Sequence, residues 1–474
     1  MTDVIIVGGG SAGGVLASRL SEDPARRVLL LEAGPDAPPG TVGPEVIWDG
    51  YLSEPLPGGT PIPLPRGRLL GGCSAVNASI ALRGSPADYD GWARAGHEGW
   101  SFDEVLPCFK RLESDLDFGA DEWHGAEGPV RIRRYEVLSA PAAAFLEAAV
   151  ALGHKRIEDH NRPWAVGAGP VPVNELDGVR QSTALTYLGP AVRARPNLTI
   201  RPGALVDRVH VVNGRAIGVL LAGGETILGD AVVLAAGSYG SPAILLRSGI
   251  GPGGQVAELP GVGEGLQDHA LLTLKVTGPP GMPPPPYQAV VTMHSSGADP
   301  SGAPDLQLLT GAPPPIGPPT PASEPTPFLI GVALLKPLSR GRVWLRSSDP
   351  DTPPRIDLGL LTHPDDVVLL REGARHLLRL VAAEPLASLI HGEPANPAPD
   401  PADDSTLDAW VASNVVTYHH PVSTCAMGVV VDARGAVQGV PGLSVADSSI
   451  MPDLPSGNTN LPAMMVAERI AERF

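Results

Sequence analysis

The sequence predicts a mixed α/β fold, and three observations point to it. A short β-branched run, a glycine-rich turn and a helix open the chain. A second strand, turn and helix recur near its middle, and a series of short strands leads into that second unit. In chain order, Val4-Ile5-Ile6-Val7 reads as a buried parallel strand, being short, wholly β-branched and stopped by glycine. Gly8 to Gly14 turns into a helix that runs to about Leu20, and Val28 to Leu31 forms the next strand, ending at Glu32. Leu198 to Leu228 is strand-rich, with turns at Asn213-Gly214 and Gly223-Gly224. Ala231 to Leu234 is a further buried strand, followed by Ala235-Ala236-Gly237 and an apolar helix around Ala243 to Leu246. Residues 278–327 carry Pro283 to Pro286, Pro313 to Pro315 and many single prolines, which argues against a central strand. They read as loops on the edge of a second domain, either a lid over a site or a surface excursion with no function. Residues 394–403 read as a linker, and Leu461 to Phe474 as a helix with Met464, Met465 and Ile470 inward. No internal repeat is visible.

The chain has 474 residues, 43% of them apolar, enough for a packed core without staples. Its net charge of −17 disfavours wrapping a phosphate backbone, so no nucleic-acid partner is expected. The three cysteines, Cys73, Cys108 and Cys425, form neither a disulfide framework nor a zinc spacing. His124, Asp159 and His160 lack a ligand spacing, and no metal is expected. There is no secretory signal, no transmembrane-length apolar run and no lipidation motif. A cytoplasmic protein is expected, with docking at the inner face of a membrane still compatible.

Gly8-x-Gly10-x-x-Gly13 lies between a strand and a helix. Gly8 permits the tight turn, Gly10 lets the backbone approach a pyrophosphate, and Gly13 allows helix and strand to pack closely. Ser11 and Ala12 sit in the first helical turn, where free N–H groups and the dipole favour an anion. Glu32, at the end of the second strand, stands where a carboxylate accepts hydrogen bonds from ribose hydroxyls. These features together indicate dinucleotide binding. The same residues also fit G-x-S-x-G, the nucleophile elbow of α/β-hydrolases, with Ser11 as nucleophile. An elbow on the first strand lacks a preceding strand to supply an oxyanion loop, and it leaves Glu32 without a role.

Gly67-Arg68-Leu69-Leu70-Gly71-Gly72-Cys73-Ser74-Ala75-Val76-Asn77 resembles the first signature of the glucose–methanol–choline (GMC) oxidoreductases. Gly237-Ser238-Tyr239-Gly240-Ser241-Pro242-Ala243-Ile244-Leu245-Leu246-Arg247-Ser248-Gly249-Ile250-Gly251 resembles the second. Val262 to His269 is similar to a further family segment, with Gly265 where Asn is usual. His420 to Gly428 and Pro455 to Asn460 are similar to the family's two catalytic segments. The resemblance implies a Rossmann-like FAD-binding domain, from residues 1–100, 195–270 and 429–474. It also implies a substrate domain on an antiparallel sheet flanked by helices, from 101–194 and 271–428. FAD is expected to be noncovalent, because Val76 occupies the position where some members carry a linking His. Gly71, Gly72 and Asn77 are implied to line the flavin, Val206 to meet the adenine, and Asp447 to lie near the ribityl and pyrophosphate groups. Ala33, Gly67, Arg68, Ala236, Gly237 and Asn460 complete the implied cofactor set.

Oxidation of an alcohol removes a hydroxyl proton and a carbon-bound hydride. Imidazole suits the proton, since its ordinary pKa lies near working pH. His420 matches the family's base and Asn458 its partner, which would hold the substrate oxygen while hydride passes to flavin N5. His419 replaces an aromatic residue and is a candidate for substrate contact or for tuning His420. His269 is expected to be structural, and Cys73 and Cys425 to pack. Ser423 stands where Gly is usual and Ala426 where a bulky basic residue often sits. The short chain, the His419-His420 pair and Ser423 resemble the mycofactocin-associated branch. That branch implies re-oxidation of a peptide-derived redox carrier, with electrons passed to respiration. A dehydrogenase with an acceptor other than oxygen is expected. The alternatives are a small-alcohol or choline-like oxidase or dehydrogenase, and a lyase that keeps flavin only as structure.

Overall fold

The computed structural model describes residues 2–41, 43–56, 59–312 and 323–474. Its first sheet is built around the opening strand, Thr2–Val7. That strand lies parallel between Val28–Leu31 and Thr226–Leu234. Leu198–Arg201 extends one edge and Leu443–Val445 the other, both parallel. Val4, Ile5, Ile6 and Val7 are all buried, as expected of a strand covered on both faces. The helix Ser11–Leu20 covers the sheet together with the C-terminal helix Asn460–Ala471. Thr226–Leu234 also closes an antiparallel meander that runs through Val206–Val212 and Arg215–Leu221. Asn213 and Gly214 both take positive φ (50° and 76°), the two-residue turn whose twist suits a hairpin.

The signature helix starts at Gly237 and runs to Arg247, six residues earlier than the sequence indicates. Its first turn is capped from a distant segment. Asp447 Oδ2 accepts from Gly237 N at 2.9 Å and from the Ser241 hydroxyl at 2.6 Å. A cap 210 residues away leaves no local signal.

The second sheet is antiparallel and six-stranded. Its order is Val415–Thr417, Ala270–Pro280, Pro325–Leu334, Leu306–Gly311, Ala289–Met293, Gly167–Pro170. One face packs beneath the helices Pro364–Val381 and Ala140–Ala151 through Leu272, Val291, Leu308 and Val332. The opposite face presents Leu271, Val290, Leu309 and Ala333 to Tyr287 and Tyr418. The proline-rich stretch is therefore corrected: Ala289–Met293 and Leu306–Gly311 are interior strands, not edge loops. No proline falls within either of these two strands, so their own ladder N–H groups are kept, whereas Pro327 sits in the neighbouring strand Pro325–Leu334 opposite Thr277. Pro313 to Pro315 lie outside the described residues. Among the described residues no helix is long and apolar enough to cross a membrane.

A buried ion network ties the loop around His124 to the segment at Asp159. His124 Nδ1 lies 3.1 Å from Glu113 and from Asp115, and its Nε2 lies 2.9 Å from Asp159. The sequence spacing did not show this cluster. Arg83 pairs with Glu113, and Arg134 bridges Asp115 and Asp159, so guanidinium groups already neutralise the carboxylates. Burial opposes the His124 charge, but hydrogen bonds to Asp115, Asp159 and Glu113 outweigh it and raise the ring to about 10. Burial likewise opposes the Asp159 charge, yet His124 and Arg134 hold that carboxyl down to about 2. His124 therefore contributes stability that is complete below its ordinary value of 6.5 and lost as pH rises through about 10. Asp159 contributes stability that is complete above 3.8 and lost as pH falls through about 2. His124→Ala is expected to lower unfolding stability by about 3–5 kcal/mol, the usual cost of breaking a buried charged network. Urea denaturation at pH 6 and pH 10 checks this, and the loss should shrink at the higher pH.

Candidate active site

The glycine turn is shaped by close approach. Gly8 sits at φ 100°, and a Cβ on Gly13 would stand 1.7 Å from the Gly8 carbonyl oxygen. Glu32 is buried and straddles the turn: one oxygen accepts from Gly9 N at 2.7 Å and the other from Gly34 N at 2.8 Å. Burial pushes its carboxyl up to about 7 against these bonds. Ala33 lies between the two anchored residues and is half-buried. Val206 is buried at the start of the meander, and Ala204 N bonds the Glu32 carbonyl at 2.7 Å.

The first signature crosses this turn. Gly71 N bonds Gly9 O at 2.8 Å, and a Cβ on Gly72 would lie 2.7 Å from Gly10 Cα. Gly67 packs against the Gly72 carbonyl, and the Arg68 guanidinium lies over Trp48. Asn77 is half-buried, its Oδ1 accepting from Ser79 N at 2.9 Å. Ala236 N bonds the Ser241 hydroxyl at 3.1 Å, beside the Asp447 cap of Gly237. Ser11 donates its hydroxyl to Asn460 Oδ1 at 2.8 Å, joining the first and last helices. Chain residues 8 to 460 thus converge on one turn.

The segments carrying His269, His420 and Asn458 meet beside the edge strand Val415–Thr417 of the antiparallel sheet. Ala270 pairs with Thr417, which sets His269 beside Tyr418 and His420. Asp268 accepts from His420 N at 2.9 Å and from the Thr417 hydroxyl, which fixes the turn carrying the imidazole. Burial raises the Asp268 carboxyl to about 6, opposed by these bonds. His420 Nε2 lies 3.1 Å from Asn458 Nδ2, and its Nδ1 lies 2.9 Å from His269 Nδ1. Both rings and the amide are buried. Burial, with His269, His419 and Arg66 nearby, holds the His420 ring well below the ordinary imidazole range. The ring is therefore neutral at neutral pH. The loop bearing Asn458 is anchored by Asp88, which accepts from Ser456 N at 2.9 Å, and by Lys336, whose ammonium contacts Asp453 and Asp88.

Arg66, just before the first signature, donates to the His419 carbonyl at 3.3 Å, and Ser238, in the second signature, donates to the Pro421 carbonyl at 2.7 Å, so both neighbourhoods hold the segment carrying His420. His419 is exposed and takes a left-handed backbone, φ 64°. Ser423 does too, φ 74°, which accounts for the usual glycine there. Gly265, at φ 75°, stands in a conformation that Asn also tolerates.

Comparisons with known proteins bear on this arrangement. Models of the N- and C-terminal parts of the GMC oxidoreductases match residues 2–271 and 337–467. The chain belongs to the GMC oxidoreductase family. It is 36% identical to 5-(hydroxymethyl)furfural oxidase of a Methylovorus species, covering 99% of this chain and 98% of that protein. It is 34% identical to the oxygen-dependent choline dehydrogenase of Photobacterium profundum, over 99% of this chain and 92% of that one. The solved structure of pyridoxine 4-oxidase from Mesorbium loti superposes with a TM-score of 0.91 at 32% identity, covering 100% and 99% of the two chains. This GMC oxidoreductase is an FAD-dependent enzyme acting on alcohols. Its residues fit the cofactor. The Gly10–Gly72 crossing leaves backbone where side chains would intrude, and Asn460 Nδ2 and Asn458 Oδ1 are buried polar atoms lacking a partner among the described residues. Gln267, Asp268 and His269 organise the site, yet the sequence signalled them only through the family segment at 262–269.

Proposed function

We propose that this enzyme oxidises a hydroxymethyl-bearing alcohol, with His420 as the base and Asn458 as the holder of the substrate oxygen. The observation that carries this is the buried, neutral His420 with Asn458 Nδ2 at 3.1 Å from its Nε2. A neutral base facing an amide donor is what a hydroxyl requires. The amide hydrogen marks where the substrate O–H will sit, and the same amide can then donate to the oxygen as its proton moves to Nε2. Burial excludes water and sharpens both contacts. Bound FAD supplies the two-electron acceptor. Gly8, Gly10, Ser11, Ala12 and Gly13 would hold its pyrophosphate. Glu32, Ala33 and Val206 would hold the ribose and adenine end. Gly67, Arg68, Gly71, Gly72, Asn77, Ala236, Gly237, Asp447 and Asn460 would line the remainder. The same reading divides the chain into an FAD domain of residues 1–100, 195–270 and 429–474 and a substrate domain of 101–194 and 271–428.

The relatives named above support a small alcohol carrying a CH–OH group. The short chain, His419 and Ser423 support a second reading, a redox-carrier substrate such as reduced mycofactocin with an acceptor other than oxygen. Anaerobic bleaching of the flavin by 5-(hydroxymethyl)furfural, choline, pyridoxine or reduced mycofactocin separates these, and peroxide formed in air reports oxygen as acceptor. Bleaching by none of them would remove the proposal. Ser11 bonds Asn460, not a histidine, so it lacks the base a hydrolytic nucleophile needs. Ser11→Ala is expected to weaken FAD binding by less than about 10-fold, one hydrogen bond's worth, and to leave alcohol-driven bleaching measurable.

A further inference from the structure

His269 immediately precedes the strand Ala270–Pro280 and takes no part in the proton transfer above. We propose that His269 is a positioning residue that sets the tautomer of His420, so that Nε2 presents a lone pair to the substrate hydroxyl. This deepens the assignment of His420 as base and rests on it.

The chain of contacts admits one proton arrangement. His269 Nε2 lies 3.1 Å from the Pro455 carbonyl, which can only accept. A neutral His269 must therefore carry its hydrogen on Nε2, leaving Nδ1 as an acceptor. That Nδ1 lies 2.9 Å from His420 Nδ1, with the rings nearly perpendicular at 88°. His420 must then donate from Nδ1, and its Nε2 is left unprotonated. The Asn458 amide hydrogen, aimed at that nitrogen, agrees. The opposite tautomer of His420 would set two lone pairs against each other at Nδ1 and two donors against each other at Nε2.

The surroundings keep both rings neutral. His269 is held down to about 3, chiefly by burial and also by Lys336, with Pro455, Leu335 and Asp453 opposing. Arg66 and His419 act in the same sense on His420. Asp268 is engaged by Thr417 and by the His420 backbone N–H, and the Tyr418 ring packs against His420 at 4.4 Å between centroids, tilted by 45°. A carboxylate in the place of His269 would fix the same tautomer but favour a charged His420. A neutral imidazole fixes it without adding charge, which suits a base that must rest unprotonated in a dry site.

Two measurements test this. In the holoenzyme labelled with 15N-histidine, long-range proton–nitrogen spectra should show His420 as the pure Nδ1–H form, assigned by loss of its signals in His420→Gln. An Nε2–H form would overturn the proposal whatever the enzyme's activity. In stopped-flow work, His269→Leu should slow anaerobic flavin reduction by about 10²–10³-fold through the reduction rate rather than substrate affinity, consistent with loss of a tautomer-fixing partner. His269→Asn, whose amide oxygen can replace the Nδ1 acceptor, should recover to within about 10-fold. Unimpaired His269→Leu beside a crippled His420→Ala would overturn the tautomer role and leave the base assignment standing. An unimpaired His420→Ala would overturn the base assignment, with the spectra still judging the tautomer. Leu and Asn variants equally slow, with FAD content retained, would also overturn it. If His269→Leu does not fold, the wild-type spectra and His269→Asn decide.

Discussion

Replacing His420 with alanine is expected to slow anaerobic flavin reduction by about 10²–10⁴-fold, the range that a positioned acid–base group supplies. FAD should remain bound, because among the described residues the His420 ring hydrogen-bonds His269 and Asn458 and no residue of the glycine turn. The pH profile is the companion measurement. The folded-state ring lies well below its ordinary value, so the neutral base persists as pH falls through 6.5. The reduction rate of the wild-type enzyme should be flat across neutral pH and fall only on a more acidic limb. A rate that halves near 6.5 would show the ring to be more hydrated than its burial implies, and near-normal reduction in His420→Ala would remove it from the chemistry.

The second large effect concerns the glycine turn, where two neighbouring positions should fail differently. Gly13→Ala places a Cβ 1.7 Å from a backbone carbonyl, so either the first strand or the first helix must move. Loss of soluble, folded protein is expected. Gly10→Ala is different. Gly10 lies at φ −79°, open to any residue, and the nearest atom to a Cβ is 3.7 Å away. The apo-protein should keep its thermal midpoint within a few degrees. FAD affinity should nevertheless fall by about 10–100-fold, since a methyl group displaces the pyrophosphate from one or more charge-assisted backbone N–H bonds of about 1.5–3 kcal/mol each. Isothermal titration with FAD, alongside thermal unfolding of the apo form, separates the two variants. An unfolded Gly10→Ala, or one that binds FAD normally, would contradict the role given to this position.

What was legible in the chain was local. Four β-branched residues ending at Gly8 could only be a buried strand before a tight turn, and they lie at the centre of a parallel sheet. Asn213-Gly214 announced its hairpin, and the glycine spacing announced close backbone approach, because each depends on one residue's own φ or missing Cβ. His420 and Asn458 were found as members of motifs, not as neighbours. Their meeting, and the placing of His269 against them, depend on Ala270 pairing with Thr417 across 147 residues of chain. The same holds for the interior strands between prolines, for the Asp447 cap of Gly237, and for the His124 network. Local pattern encodes backbone geometry and which face is apolar. Register between distant strands is settled by burying two faces of a sheet at once, and only the folded chain expresses that condition.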